Sequence, residues 1–246
     1  MTTCFLFDVD GTLTEARQPM EEGFASFFES WVTDKNVYLV SGSDLPKIRE
    51  QIPSNILNKC KGVFSCMGNE FWQEDQNNEL CQVYRNKITL PQEIKNWLNE
   101  KIKDSEFERK PWARYPPHFE FRSGMVNFSV VGRGASNALR SYYYEWDEGN
   151  RERKTIAKEF NKLFKEKYNL EALVGGQISL DIQEVGKDKS QVLDHLDFEK
   201  YIFFGDRCFE GGNDYSIAIK VDEACQVTGY EHTKKLLESY DFFETN

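Results

Sequence analysis

The sequence has no apolar stretch long enough to cross a bilayer, no CxxC pair among its six cysteines, and no excess of positive charge. A spanning helix needs about twenty consecutive apolar residues. The first apolar run, Cys4 to Phe7, stops at Asp8, and no basic segment precedes it, so neither an anchor nor a secretory leader is expected. A chain of 246 residues can bury a core without disulfides, and the cysteines are read as reduced thiols in a cytoplasmic protein. The three histidines, His118, His195 and His232, are too dispersed for ligand spacing, which gives no basis for zinc chemistry. A net charge of −10 repels phosphate backbones and anionic headgroups, so no nucleic acid and no membrane partner is expected. An anionic small substrate stays compatible where basic residues converge. Repeats and low-complexity stretches are absent. The one glycosylation triplet noted, Asn127-Phe128-Ser129, falls in a strand-like segment and is not expected to be used.

Short apolar runs are present, and four of them end in small or acidic residues: Cys4 to Val9, Val37 to Val40, Gly62 to Phe64 and Tyr201 to Phe204. Such runs suit parallel strands buried on both faces. Helical spacing over Pro19 to Val32 and Asp44 to Ile52 separates them, which predicts a doubly wound, Rossmann-like α/β sheet with ligands at the carboxyl ends of its strands. Asp8, Ser41 to Ser43 and Gly205-Asp206 all fall at such ends.

The middle of the chain reads differently. Leu80 to Arg85 alternates like an edge strand, and Pro91 to Asp104 carries Ile94, Trp97, Leu98 and Ile102 on one helical face. Two hairpins follow, broken at Ser123-Gly124 and at Gly175-Gly176, with helices over Ser136 to Trp146 and Arg151 to Tyr168 between them. This segregation predicts a small α+β domain over 84–184, inserted into a core made of 1–83 and 185–246. Asp44 and Asp188 stand where helices begin and are read as caps. The run Tyr142-Tyr143-Tyr144 with Trp146 is read as packing on an amphipathic helix.

The chemistry is carried by Asp8-Val9-Asp10-Gly11-Thr12. Burying an unpaired carboxylate is costly, and two of them on one strand face repel each other unless a cation reverses the balance. Mg²⁺ suits the position, since it takes carboxylate, water and phosphate oxygens, and Gly11 permits a turn whose amides face an anion. One carboxylate can attack phosphorus to form an acyl phosphate while the other exchanges a proton with the leaving and accepting oxygens.

This arrangement resembles the haloacid dehalogenase-type phosphotransferases, whose nucleophile is the first aspartate of DxDGT. The resemblance continues in order along the chain. Ser41 or, by position, Ser43 in Val40-Ser41-Gly42-Ser43-Asp44 matches the phosphate-binding hydroxyl. Lys189 in Gly186-Lys187-Asp188-Lys189 matches the neutralising lysine. Asp206 in Phe204-Gly205-Asp206, with Gly211-Gly212-Asn213-Asp214 after it, matches the acidic metal motif.

The inserted segment is similar to the cap of the eukaryotic-type α-phosphomannomutases. Phe119-Glu120-Phe121-Arg122-Ser123-Gly124-Met125-Val126-Asn127, Val131-Gly132-Arg133, Arg140 and Gly175-Gly176-Gln177-Ile178-Ser179-Leu180-Asp181 carry that likeness, together with Arg17 in Ala16-Arg17-Gln18. The resemblance implies Asp8 as nucleophile, Asp10 as acid/base and Lys189 as catalytic cation. It implies Arg17, Ser43, Arg122, Arg133, Arg140, Ser179 and Asp181 for a hexose phosphate substrate. Mg²⁺ would be held by the Asp8 carboxylate, the Asp10 carbonyl and Asp206, with a hexose 1,6-bisphosphate as activator and a homodimer formed through the cap. Arginines on a cap would hold the non-reacting phosphate and exclude water. Two alternatives stay open on the motifs: a sugar-phosphate phosphatase of the same superfamily, and a non-catalytic sugar-phosphate sensor.

Overall fold

The computed structural model describes residues 2–77, 79–107 and 114–244. In chain order, β1 (Thr3–Phe7), α1 (Glu22–Trp31), β2 (Asn36–Val40), α2 (Leu45–Gln51), α3 (Ser54–Leu57), β3 (Gly62–Ser65), β4 (Glu70–Glu74) and β5 (Leu80–Arg85) come first. They are followed by α4 (Gln92–Asp104), β6 (Phe119–Arg122), β7 (Met125–Phe128), α5 (Asn137–Asn150), α6 (Glu152–Tyr168), β8 (Leu170–Gly175) and β9 (Ser179–Glu184). The chain ends with β10 (Lys200–Gly205), α7 (Tyr215–Ala218), β11 (Glu223–Gln226) and α8 (Tyr230–Glu244). Two compact units result, one of residues 1–85 with 186–246 and one of 86–185.

The first unit is built on a seven-stranded sheet in the order β11-β10-β1-β2-β3-β4-β5. From β11 to β3 the pairing is parallel, and the last two strands are antiparallel. Alternate residues of β1 feed separate cores. Phe5 and Phe7 pack with Phe28, Trp31 and Phe204 on one face, while Cys4 and Leu6 meet Phe203, Val192 and Ile217 on the other. That is why β1 reads as an unbroken apolar run. Its register, with Phe7 opposite both Phe204 and Leu39, sets Asp8, Ser41 and Asp206 along one edge of the sheet.

Two strands escape the sequence pattern. β11 is a four-residue edge strand of Glu-Ala-Cys-Gln, with no apolar run to announce it. β4 follows a turn in which Cys66, Met67 and Gly68 all have positive φ, and its register with β5 shifts between Phe71 and Trp72. Helix starts match their capping chemistry. The Asp44 carboxylate accepts from the Lys47 amide at 3.3 Å, and Asp188 accepts from Ser190 N at 2.9 Å.

The second unit holds a four-stranded antiparallel sheet in the order β6-β7-β9-β8. One face is apolar: Val126, Phe128, Leu180 and Ile182 pack against Ile94 and Leu98 of α4 and Phe160 of α6. The other face carries Glu120, Asn127 and Asp181 in one cross-strand row. Tyr143 is buried with Phe107 and Ile178, whereas Tyr142 and Tyr144 are exposed. At the junction of α5 and α6 the buried Arg153 donates to Asp147 at 2.6 Å and to the Gly176 carbonyl at 2.7 Å. The guanidinium thereby supports the loop that leads into β9. All six cysteines are unpaired, and no helix among the described residues is long and apolar enough to cross a membrane.

Candidate active site

β1 delivers Asp8 to the sheet edge, and a tight turn then folds back. Leu13 N and Thr14 N donate to the Val9 carbonyl, and Gly11 N donates to Thr14 O at 2.8 Å. Gly11 sits at φ 82°, and a Cβ there would lie 2.6 Å from Asp206 Oδ2, so the turn and the aspartate approach closely only because the side chain is missing. From α8, the Thr233 hydroxyl donates to the Thr12 carbonyl at 2.8 Å.

Asp8 is 3% exposed, and Lys189 and Asp214 are fully buried. The Lys189 ammonium donates to Asp8 Oδ1 and, at 2.6 Å, to Asp214 Oδ1. Asp214 is fixed from its other oxygen by the Arg207 amide at 3.1 Å. Thr12 Oγ1 lies 3.5 Å from Asp8 Oδ2. Carboxylate oxygens of Asp8, Asp206 and Asp214 all fall within 4.8 Å of one another.

Three carboxylates around one ammonium leave an excess of negative charge. Burial, reinforced by Asp214 and Asp206, pushes the Asp8 carboxyl up to about 7 despite the pull of Lys189. Burial followed by the Asp214 charge raises Asp206 in the same direction. Burial disfavours the Lys189 cation, yet Asp8 and Asp214 outweigh it and hold that pKa above the ordinary lysine value. The ammonium therefore stays charged, and the surplus falls on the carboxylates.

Asp10 occupies a different setting. Its Oδ1 accepts from Arg17 N at 2.7 Å and from Gln51 Nε2 at 2.9 Å, and its Oδ2 lies 3.4 Å from the Ser43 hydroxyl. The Asp8 and Asp10 carboxylates thus take separate partners. Ser43 is itself positioned by its loop: its amide donates to Ser41 Oγ at 3.0 Å, and its carbonyl accepts from Cys66 N at 2.9 Å. Gln191, two residues beyond Lys189, donates to the Met67 carbonyl at 2.8 Å and ties the Cys66–Gly68 turn to the lysine segment. Arg17 is exposed, at φ 61°.

In the second unit, Glu120 accepts from Arg122 at 3.0 Å and from Arg133 at 2.7 Å. Arg133 also reaches Ser179 Oγ at 3.1 Å, and Asn127 Nδ2 donates to Asp181 Oδ1 at 2.7 Å. Burial opposes the Glu120 charge, but the two arginines lower its pKa overall. Arg122, Arg133, Ser179 and Asp181 therefore share one patch. Arg140 stands beside it in another capacity, donating to the Ala135 carbonyl at 2.9 Å and to the Arg133 carbonyl, so much of its guanidinium closes the turn that carries Arg133.

Comparison with known proteins matches this chain, over residues 24–241, to the family described as eukaryotic phosphomannomutase. Phosphomannomutase 1 of Dictyostelium discoideum is 32% identical, covering 96% of this chain and 95% of the relative. The phosphomannomutase of Spinacia oleracea is 35% identical, covering 86% and 84%. The chain belongs to the eukaryotic phosphomannomutase family. Among solved structures, a Plasmodium falciparum IMP-nucleotidase superposes with a TM-score of 0.62 at 19% identity, covering 96% of this chain and 67% of that one. A haloacid dehalogenase-like hydrolase from Bacteroides thetaiotaomicron gives 0.57 at 14% identity, covering 98% and 100%. Both share the fold.

Within this phosphomannomutase-family chain, the structure brings Asp8, Lys189 and Asp206 together as the motifs predict and adds Asp214, Thr12, Gln51 and Gln191. Asp214 was visible as the end of Gly211-Gly212-Asn213-Asp214 and Thr12 as the end of Asp8-Val9-Asp10-Gly11-Thr12; Gln51 and Gln191 carry no motif. The donor set fits a hard divalent cation, being oxygen-rich, buried and short of positive charge. The carboxylates within reach of one another among the described residues include Asp214 and not Asp10, so Asp10 could contribute only through its backbone, as the family resemblance implies.

A pH dependence follows for the metal-free protein. Asp8 ionises near 3.8 ordinarily and near about 7 in the fold, so between those values the folded state binds more protons than the unfolded chain. Stability then falls as pH rises through that window and levels off above it. Thermal melts in chelator from about pH 5 to pH 8 will show a declining midpoint, partly restored by Mg²⁺ at the upper end. A profile that is flat or rises would contradict the charge balance described for Asp8.

Proposed function

We propose that the chain is a phosphomannomutase that interconverts mannose 6-phosphate and mannose 1-phosphate through a phosphorylated Asp8. The observation carrying this reading is the buried Asp8 held by Lys189, with a second carboxylate, Asp10, set apart on its own donors. Asp8 attacks the phosphorus of a hexose 1,6-bisphosphate, forming the acyl phosphate and breaking the bond to the sugar oxygen. Asp10 gives that oxygen a proton and later removes one from the hydroxyl that takes the phosphoryl group back. Lys189 and the Ser43 hydroxyl offset the charge of the transferring group. Asp8 and Asp206 would hold Mg²⁺, which supplies further charge neutralisation at the phosphate. In the second unit, Arg122, Arg133, Arg140, Ser179 and Asp181 would bind the phosphate and hydroxyls of the hexose. Dimerisation through the second unit has apolar surface available to it, since Phe121 on β6 and Leu173 and Val174 on β8 are about half exposed on edge strands.

The test is a coupled assay that follows mannose 6-phosphate formed from mannose 1-phosphate, alongside inorganic phosphate release. Conversion stimulated by a hexose 1,6-bisphosphate is expected. Stoichiometric phosphate without the isomer would reject the mutase in favour of a phosphatase, and tight binding with no phosphoenzyme would favour a sensor.

A further inference from the structure

On the polar face of the second unit's sheet, Asn127 lies in register between Glu120 on β6 and Asp181 on β9. Its side chain is 5% exposed, and its amide nitrogen is committed to Asp181. That bond fixes the orientation of the amide, because an ionised carboxylate can only accept. The carbonyl oxygen, Asn127 Oδ1, is left buried without a hydrogen-bond partner. Buried acceptors are rarely left unmade, and one found in a native fold calls for a donor.

Neither cross-strand neighbour can provide it. Glu120 and Asp181 are both acceptors when ionised, and the nearby guanidinium groups are engaged, Arg122 on Glu120 and Arg133 on Glu120 and Ser179. A donor must come from outside the row. We infer that Asn127 is a specificity-determining residue whose Oδ1 accepts a hydrogen bond from one hydroxyl of the bound hexose phosphate. The inference rests on the reading of this patch as the sugar-phosphate site. Arg122 and Arg133 share a single carboxylate and are partly exposed, so a dianionic phosphate can draw them from Glu120. The sugar attached to that phosphate then brings its hydroxyls over the Glu120–Asn127–Asp181 row.

The test compares kcat/KM for mannose 1-phosphate with its 2-, 3- and 4-deoxy analogues, in the wild type and in Asn127→Ala and Asn127→Ser. Serine retains a donor for Asp181, and its shorter side chain leaves no acceptor at the position of Oδ1. The wild type should disfavour one analogue by about tenfold or more, since an acceptor left unpaired in the complex is costly. In both variants the parent sugar should lose its advantage over the selected analogue, whatever the loss common to the two, so the preference falls to about one. Thermal melts of the variants show whether the fold is kept. A wild type indifferent to all three analogues, or variants that keep its preference, would overturn the inference and leave Oδ1 as the site of a buried water. Arg133→Ala separates the two levels. If that variant binds mannose 1-phosphate as tightly as the wild type, the sugar-phosphate reading itself fails. If its KM rises while the Asn127 variants keep the wild-type preference, only the role of Asn127 fails.

Discussion

Asp8→Asn will abolish phosphoryl transfer, lowering turnover by at least about 10⁴-fold, while the protein stays folded. The amide has nearly the volume of the carboxylate and retains an oxygen for the Lys189 ammonium, which also keeps Asp214. It cannot, however, attack phosphorus as an anion. The substitution removes one of three carboxylates from a cluster with a single ammonium, so the metal-free variant should melt no lower than the wild type at neutral pH. Two measurements check this: trapping of acid-stable phosphoenzyme after incubation with a hexose 1,6-bisphosphate, and the coupled isomer assay. Appreciable turnover by the asparagine variant would remove Asp8 from the nucleophile role, whatever happened to the melting temperature.

Lys189→Met should have the second largest effect, and it should act on stability as well as on rate. The lysine is fully buried and bonds two carboxylates at once, and breaking a buried pair from one side costs about 3–5 kcal/mol. For a chain of this size that corresponds to a drop in Tm of roughly 6 to 20 °C. The rate should fall by about 10²–10³-fold or more, as for other groups that offset developing charge. The pH sign distinguishes electrostatics from packing. Without the ammonium, Asp8 loses its counter-cation, so its folded pKa rises further above the unfolded value. The penalty is then largest at neutral pH and shrinks as pH falls and the Asp8 carboxyl takes up its proton. If the deficit is the same at about pH 5 and pH 8, the lost packing of the side chain dominates and the charge argument is wrong.

The parallel strands were legible because a strand covered on both faces leaves an unbroken apolar run, and β1, β2, β3 and β10 each have one. β11 was not, because an edge strand of Glu-Ala-Cys-Gln has no such run. In the site, Asp8, Asp206 and Lys189 stood out through spacing and position. Asp214 stands within its motif, yet its burial against Lys189 depends on the Gly205 to Asp214 segment folding back on itself, which no local periodicity reports. Gln51 on α2 looks like any polar residue near a helix end until Asp10 and Thr14 appear as its partners. Arg140 shows the opposite limit. A guanidinium can serve a phosphate or a pair of backbone carbonyls, and the sequence around it is equally compatible with both.

The position of β1 in its sheet also bears on how the protein is made. Its partner β10 lies almost at the other end of the chain, with Thr3 opposite Lys200. At a synthesis rate of roughly 5–20 residues per second, that partner leaves the ribosome about 10 to 40 s after β1. Residues 86–185 emerge in the interval and form a compact unit of their own, so this unit can fold while β1 still waits. Vectorial synthesis thus leaves β1, the most apolar strand of the first unit's sheet, with one flank open for most of translation. A nascent chain stalled before residue 200 should accordingly depend on chaperones far more than a completed one.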